Sequence, residues 1–302
     1  MSCPDAPSGL PTAPPPWTLA GRGWIFPTYT PFSPTPIPLP DGAYAPLEQG
    51  SKADQSGHFH GGVGMVFVVR YETSDVGPYD ELIYTPGLFS SSDSPADKPH
   101  YHLSITRIYV STDASVYNGR RNWGIPKHRG VFSFTTLSPS RTLLTVSHPS
   151  SPSSPFFRAI LADSRLTPFA MPVNTTWLSW RLSRWLMDGY TAEIFQPALP
   201  FASEADEEKK ASVQATGQAL EALVGSEETY RLSPPSKGWS RLAYLEEAPP
   251  EEGEGGKDWS GFGDGVGFPR FKVAVEGPLK GRGVHLTSFT MGFPVGTVVG
   301  EE

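Results

Sequence analysis

Runs of apolar residues along the chain predict a protein built mainly from β-strands. The segment GVGMVFVVRYET (62–73) is rich in β-branched residues and almost continuously apolar, which is typical of a strand buried on both faces. The segment HYHLSITRIYVST (100–112) instead alternates through Leu103, Ile105 and Ile108, which predicts a strand with one buried face. Further strands are predicted at YDELIYTPG, VFSFTTL, RTLLTVSH, FFRAILAD, KGWSRLAYLEEA and VHLTSFTMGF.

Helical patterns are few, so we expect an α+β fold that is predominantly antiparallel β. Asp113 is a candidate N-cap for a helix over 114–123, which would end at Gly124. A second helix is expected over 174–189, with a strand as the alternative. A third is expected within 204–225, behind a charged and exposed insertion.

Proline and glycine set the expected boundaries of the domain. The 302 residues include 33 Pro and 31 Gly, a content that disfavours long helices and favours short strands joined by turns. We expect residues 1–19 to be a disordered Pro-rich tail and residues 20–295 to form a single domain. Polar insertions are expected near 202–216 and 246–258.

Charge and hydropathy narrow the expected partners and compartment. The formal net charge is −7 and no basic block is present, which argues against a nucleic-acid partner. No apolar run is long enough to span a membrane, and the Pro-rich start does not match a secretory signal, so we expect a cytoplasmic protein without a membrane partner. The single cysteine, Cys3, allows no intramolecular disulfide, which fits a reducing compartment.

One lysine stands in an unusual setting. In NGRRNWGIPKHRG (118–130), Lys127 directly follows Ile125 and Pro126, whereas lysines are ordinarily found on solvated surfaces. Trp123 adds to the apolar flank, and Pro126 stiffens the approach to the lysine. An apolar setting disfavours the ammonium form, so a nucleophilic amine is a hypothesis to weigh against a surface charge.

Four segments of the chain together resemble the acetoacetate decarboxylase family. GRRNWGIPKHRG (119–130) is similar to the lysine segment of that family, and TSDVGPYDEL (73–82) is similar to its Gly-x-Tyr-x-Glu element. SRLAYLEEA (240–248) resembles a later strand, and GRGWIFPTY (21–29) resembles the first strand. The four segments occur in the family's order, while the middle of the chain, 150–237, aligns poorly.

The resemblance implies a fold, a mechanism and roles for three residues. The fold would be the family's conical β-barrel, with a few helices. Lys127 would condense with a substrate ketone to form a Schiff base, and the iminium would act as the electron sink, so that no cofactor is needed. Glu81 would orient substrate or transfer a proton, and Arg22 would hold a substrate carboxylate.

The expected substrate pocket contains four further residues. By their places beside Lys127 and Glu81, we expect Tyr79, Trp123, Ile125 and His128 to contact substrate. The implied partner is a small keto compound, and because members of the family assemble into oligomers, a homo-oligomer is also expected. These expectations describe a lyase of the decarboxylase type that acts in secondary metabolism.

Two departures from the family pattern weaken the case for acetoacetate as the substrate. His128 stands where the family has a second lysine, and a largely neutral histidine perturbs a neighbouring lysine less. Val66 stands where the family has another glutamate. A larger β-keto acid, an aldol-type reaction or a dehydration stays open, and the alternative is a protein that binds an apolar keto metabolite without covalent chemistry.

A metal-binding barrel is a third hypothesis. His58 and His60, like His100 and His102, are two residues apart, a spacing that puts both side chains of a pair on one face of a strand. The glutamate that cupin-like sites place shortly after the second histidine is missing, so hydrogen-bonded or solvated histidines are the default. The Gly-rich GFGDGVG (261–267) lacks the Lys-Ser/Thr of a phosphate loop and is interpreted as a turn.

Overall fold

A computed structural model describes most of the chain. The described residues are 9–91, 100–164, 169–175, 193–201, 204, 207–221, 224–248, 261–271 and 281–299. Statements below about absent features refer to these ranges. Within them, no helix has the length and apolar character needed to cross a membrane.

The described strands join into one mixed but mostly antiparallel sheet, which confirms the predicted fold class. They are β1 Trp17–Thr30, β2 Phe59–Thr73, β3 Tyr79–Thr85, β4 Leu88–Ser90, β5 Tyr101–Leu103, β6 Arg107–Val110, β7 Lys127–Arg129, β8 Val131–Ser138, β9 Arg141–Ser147, β10 Pro155–Asp163, β11 Met171–Asn174, β12 Ile194–Gln196, β13 Tyr230–Leu232, β14 Ser236–Glu246, β15 Arg282–Phe293 and β16 Thr297–Val298. Two pairs are parallel, β6 with β7 and β5 with β12.

The order of the strands ties the two ends of the chain together. It runs β16-β13-β12-β5-β4-β2-β1-β15-β14-β10-β9-β8, with β3, β6 and β7 branching from β2 and β11 pairing with β14. Strand β1 therefore lies between β2 and the late strand β15. The two end strands, β16 and β8, do not pair in the described part of the chain, so the sheet is open where a closed barrel was expected.

The long strand β2 is fully buried on one face only, whereas its continuous apolar sequence predicted burial on both faces. Val66 and Val68 face a main core, whose other members include Trp24, Phe26, Leu82, Tyr84, Tyr109, Phe156 and Phe268. Phe67 and Val69 face the opposite side, toward a cavity. Because side chains alternate along a strand, this part of the sheet separates the main core from the cavity.

Two α-helices are described. Helix α1 spans Asp113–Trp123, and its N-cap is Thr112, one residue before the predicted cap. The Thr112 hydroxyl accepts a hydrogen bond from the backbone N–H of Ser115, and Gly124 ends the helix in the left-handed conformation with φ of 61°. Helix α2 spans Glu207–Ala215, shorter than predicted.

Several predicted boundaries differ from the structure or lie outside the described residues. Strand β1 already begins at Trp17, within the segment predicted to be a disordered tail. The Asn118 side chain fixes that segment, since it accepts a hydrogen bond from Ala13 N and donates one to Pro11 O. The helix expected over 174–189 lies almost wholly outside the described residues, as does most of the insertion near 246–258.

A buried ion pair fixes helix α1 to the segment that connects β1 and β2. Arg120 Nη1 lies 2.9 Å from Glu48 Oε1, and neither side chain is exposed to solvent. Arg120 Nε also donates to Val224 O at 2.8 Å. Removing one partner of such a pair leaves a charge without compensation in a dry interior, which is far more costly than losing a surface pair.

We expect Arg120→Met to lower the free energy of unfolding by about 3 kcal/mol, because Glu48 would keep its burial and lose its cation. The adjacent Arg121 is exposed on the same helix, so Arg121→Met should change the same quantity by only about 0.5 kcal/mol. Urea denaturation of both variants measures the difference. Equal losses in the two variants would show that the buried pair does not anchor the helix.

Candidate active site

Lys127 is a buried lysine on a short interior strand. Gly124 reverses the chain at the end of α1, and after Ile125 and Pro126 the chain enters β7, beside β6. Lys127 pairs in register with Ile108, and only 4% of its surface is exposed. A lysine is almost never buried to this extent without a specific partner.

The partner of Lys127 is Glu81. Lys127 Nζ lies 2.8 Å from Glu81 Oε2, and both side chains are 5% exposed. The Lys127 ammonium also donates to Ser115 Oγ at 3.0 Å, and it lies 5.1 Å from the centre of the Tyr79 ring. Helix α1 therefore supplies one acceptor and strand β3 supplies the other, and together they fix the position of the amine.

Gly119 makes room for the lysine on α1. A methyl group at Gly119 would approach Lys127 Cε to 2.7 Å, and Lys127 Cδ more closely still. Gly119 lies four residues after Ser115, so both occupy one face of the helix. The lysine side chain crosses the helix at the glycine and reaches the serine hydroxyl.

Two tyrosines complete the surroundings of Glu81. The Tyr71 hydroxyl donates to Glu81 Oε1 at 3.3 Å, and the rings of Tyr71 and Tyr79 lie 4.6 Å apart. Burial, and after it the negative charge of Glu81, raises the pKa of both tyrosines well above the usual value. Both therefore stay protonated, and Tyr71 acts as a hydrogen-bond donor to the carboxylate.

The Lys127–Glu81 pair faces a cavity of about 650 Å³. Its walls come mainly from odd-numbered positions of β1, β2 and β3 and from β15. Lys127 and Glu81 are the only charged side chains along its described lining. The apolar lining consists of Trp17, Leu19, Trp24, Ile25, Val63, Met65, Phe67, Val69, Ile83, Leu103, Ile105, Ile108, Trp123, Ile125, Ile194, Leu286, Phe289, Met291 and Phe293, with two prolines and the ring faces of the tyrosines.

Five of the residues singled out in the sequence meet at this cavity. Lys127, Glu81, Tyr79, Trp123 and Ile125 all line it. Their roles in catalysis or binding are predictions. Their common location shows that the chain brings the lysine, the carboxylate and the three neighbours to one place.

The expectation that His128 contacts substrate is wrong for this cavity. His128 follows Lys127 on β7, so its side chain points to the opposite face, where Nε2 lies 2.9 Å from Glu48 Oε2. Burial lowers the pKa of His128 against the opposing effect of Glu48. For Glu48, burial alone would raise the pKa, but His128 and Arg120 outweigh it and lower the pKa to about 2.

Arg22 does not reach the cavity either, which corrects its expected role as a carboxylate clamp. Its side chain is exposed, and it is absent from the lining while its neighbours Gly23 and Ile25 are present. Val66, where the family has a second glutamate, faces the main core. The positions of β2 that flank it on the cavity side are Met65 and Phe67, so no second carboxylate is described there.

Sequence reasoning missed four residues of the site region. Ser115 and Gly119 were detectable in principle, because they lie four apart on a predicted helix just before the lysine. Tyr71 lies in a predicted strand, and nothing in the local sequence distinguishes it as a site residue. Glu48 lies in a Pro- and Gly-rich stretch that shows neither a helical nor a strand pattern.

The histidine pairs do not form a metal site in the described residues. His60 Nδ1 lies 2.8 Å from Ser33 O and its Nε2 lies 3.1 Å from Ser90 Oγ, while His102 Nε2 lies 3.0 Å from Gln55 Oε1. No group of three or more His, Cys, Asp or Glu side chains is placed to hold a metal within that part of the chain. The histidines there serve as hydrogen-bonding groups.

Comparisons with known proteins find similar structures but no similar sequence. No family model matches the chain, and no curated protein matches it. Several solved structures similar to this chain are acetoacetate decarboxylases or enzymes described as like them.

Three of these structures illustrate the degree of likeness. Acetoacetate decarboxylase from Legionella pneumophila has a TM-score of 0.47 at 11% identity, over 98% of this chain and 92% of that one. The enduracididine biosynthesis enzyme MppR in complex with pyruvate has 0.45 at 13%, over 96% and 93%. An acetoacetate decarboxylase-like enzyme from Sphingomonas wittichii has 0.45 at 12%, over 93% and 92%. Because these TM-scores and sequence identities are low, the proposed function rests on the lysine site itself.

We expect Gly119→Ala to lower the free energy of unfolding by about 1–3 kcal/mol, because the new methyl group would collide with Lys127. The same change in an unobstructed helix interior stabilises by about 0.5–1 kcal/mol. Chemical denaturation measures the effect.

The double variant Gly119→Ala/Lys127→Ala is the matched control. With the lysine side chain shortened, the alanine at 119 should become neutral or stabilising relative to Lys127→Ala alone. If Gly119→Ala costs the same in both backgrounds, the lysine is not what the glycine accommodates.

Proposed function

We propose that this protein is an enzyme, a lyase that forms a Schiff base between Lys127 and a carbonyl substrate. The observation that carries the proposal is the buried amine of Lys127, held 2.8 Å from Glu81 and facing an apolar cavity of about 650 Å³. A surface lysine would have no reason to be paired and buried at a cavity wall. Clefts with a few converging polar groups are the usual location of active sites.

Glu81 is placed to manage the proton that imine formation requires. Transfer of a proton from the Lys127 ammonium to Glu81 leaves a neutral amine with a free lone pair. The amine attacks the carbonyl carbon, a C–N bond forms, and the carbonyl oxygen leaves as water after two protonations, one of them by Glu81. The product is an iminium whose positive charge faces the Glu81 carboxylate.

The iminium then weakens a bond beside the former carbonyl. When a C–C or C–H bond of the adjacent α-carbon breaks, its electron pair forms the C=C bond of an enamine and the C=N electron pair moves onto the nitrogen. A proton returned to carbon restores the iminium, and water releases the product and regenerates Lys127. The lysine is the electron sink, so the proposed reaction needs no cofactor.

The surroundings of the pair support this chemistry. Ser115 and Tyr71 each donate or accept a hydrogen bond at the pair, so the amine and the carboxylate are positioned before substrate arrives. The apolar walls keep water away from the iminium and strengthen its interaction with Glu81. The Glu81 carboxylate, which accepts the proton, therefore lies beside the Lys127 nitrogen that loses it.

A second candidate is non-covalent binding of an apolar carbonyl compound in the same cavity. It is favoured by one observation, that the Lys127 ammonium already has a carboxylate and a hydroxyl as acceptors. In that case Lys127 would donate a hydrogen bond to the ligand oxygen and stay unmodified. The two candidates differ in whether a covalent adduct forms.

Reductive trapping separates them. We expect incubation with a panel of ketones, β-keto acids and 2-keto acids, followed by borohydride, to add one substrate mass at Lys127 by peptide mapping. Lys127→Met should abolish the adduct because no amine faces the cavity. The exposed Lys237 supplies the control, and Lys237→Met should trap as the wild type does.

Glu81→Gln tests the proton transfer in the same assay. We expect the adduct still to form at Lys127 but at least about tenfold more slowly, since a positioned acid–base group contributes about a hundredfold or more. Absence of any Lys127 adduct from folded wild-type protein, with every carbonyl in the panel, would favour non-covalent binding.

A further inference from the structure

We propose that the substrate is a neutral, apolar ketone or aldehyde of roughly drug size, and that it carries no carboxylate. The inference rests on the proposed function and narrows it, since the sequence had left keto acids as the leading substrate class. Three features of the cavity carry it: its volume, its charges and the state of its polar groups.

The cavity is far larger than a small keto acid. Its volume is about 650 Å³, within the range of about 300–1,000 Å³ found for sites that enclose drug-sized ligands. Acetoacetate would contact only a small part of the walls. Three wall residues that a larger apolar substrate would contact are Phe67, Phe289 and Met291.

The charges of the cavity are already balanced without a substrate carboxylate. Lys127 is the single cation of the described lining and Glu81 the single anion. Once Lys127 becomes an iminium, Glu81 neutralises it at close range. A substrate carboxylate would then be a second anion facing one cation in an apolar enclosure, and burying an unpaired ion costs several kcal/mol.

Other arginines near the lysine are committed elsewhere. Arg120 is bound to Glu48 behind β7, and Arg107 donates to the Tyr109 hydroxyl and to Val266 O on the main-core side. Arg22 is exposed. None of the three lines the cavity, so none provides the bidentate clamp that carboxylate recognition ordinarily uses.

Three hydroxyl groups of the lining are already hydrogen-bonded within the protein. The Thr85 hydroxyl bonds to the backbone of Met65, and the Thr175 hydroxyl bonds to the backbone of Ser236. The Tyr71 hydroxyl donates to Glu81. Apart from the serines at 233 and 236, a ligand therefore meets mainly apolar walls and one reactive pair, which favours a carbonyl group on an apolar body.

The class of reaction follows from the absence of a carboxylate. A neutral ketone has no carbon dioxide to lose, so the bond that breaks beside the imine is either the C–C bond of a β-hydroxy ketone, in a retro-aldol step, or a C–H bond of the α-carbon. Glu81 accepts the proton of the β-hydroxyl group in the first case and that of the α-carbon in the second, and the electron pair forms the enamine. The same carboxylate can then return the proton, so the step is balanced without a further reagent.

A size-matched ligand pair tests the proposal. Benzylacetone is the neutral probe, its ring-carboxylated analogue is the charged probe, and the methyl ester of that analogue controls for the added size. Quenching of the fluorescence of Trp17 and Trp123, which line the cavity, measures binding. We expect the neutral ketone and the ester each to bind at least about tenfold more tightly than the carboxylate.

The two proposals are tested by separate measurements: ligand binding tests the substrate class, and trapping tests the Schiff base. Equal or tighter binding of the carboxylate or of acetoacetate, or no binding of benzylacetone to protein that unfolds cooperatively, overturns the substrate class. Borohydride trapping reports separately on the imine. Protein that binds benzylacetone more tightly than the carboxylate but gives no Lys127 adduct would keep the substrate class and contradict the Schiff base.

Discussion

The structure around the cavity depends on one interaction, the buried ion pair between Lys127 and Glu81. Two charges taken out of water lose their hydration, and their attraction repays that loss only with close geometry and additional hydrogen bonds. Lys127 Nζ and Glu81 Oε2 lie 2.8 Å apart, and Ser115 and Tyr71 supply the additional hydrogen bonds. Three elements, α1, β3 and β7, must therefore dock correctly before this pair can form.

Because side chains alternate between the two faces of β7, this short strand contributes to two separate buried groups. Lys127 faces the cavity, whereas the next residue, His128, faces Glu48 in a separate buried group. Arg120 connects the two groups, since its Nη1 contacts both Glu48 Oε1 and the backbone oxygen of Lys127 at 3.3 Å. The Lys127 side chain thus extends from a backbone that is fixed on its opposite side, which limits its motion toward and away from Glu81.

The sequence predicted those features that show a local hydrophobic pattern or a distinctive local composition. The continuous apolar run predicted strand β2, and the predicted N-cap of the helix before the lysine was one residue from the observed one. Prediction failed where long-range packing decides. Arg22 was assigned to the cavity by the family resemblance and His128 by its place beside Lys127, but the alternation of strand side chains turns both away from it. Glu48 had no pattern to mark it, because its burial depends on Arg120 far along the chain.

The central claim is that the Lys127 amine reacts inside the cavity. A crystal structure of the borohydride-reduced protein, prepared with benzylacetone or with the best-trapped carbonyl of the panel, examines it most directly. We predict continuous electron density from Lys127 Nζ to a substituent that lies against Phe67 and Phe289, with Glu81 still beside the nitrogen. An unmodified Lys127 still bonded to Glu81, with the carbonyl compound bound elsewhere or at a different lysine, would contradict the account.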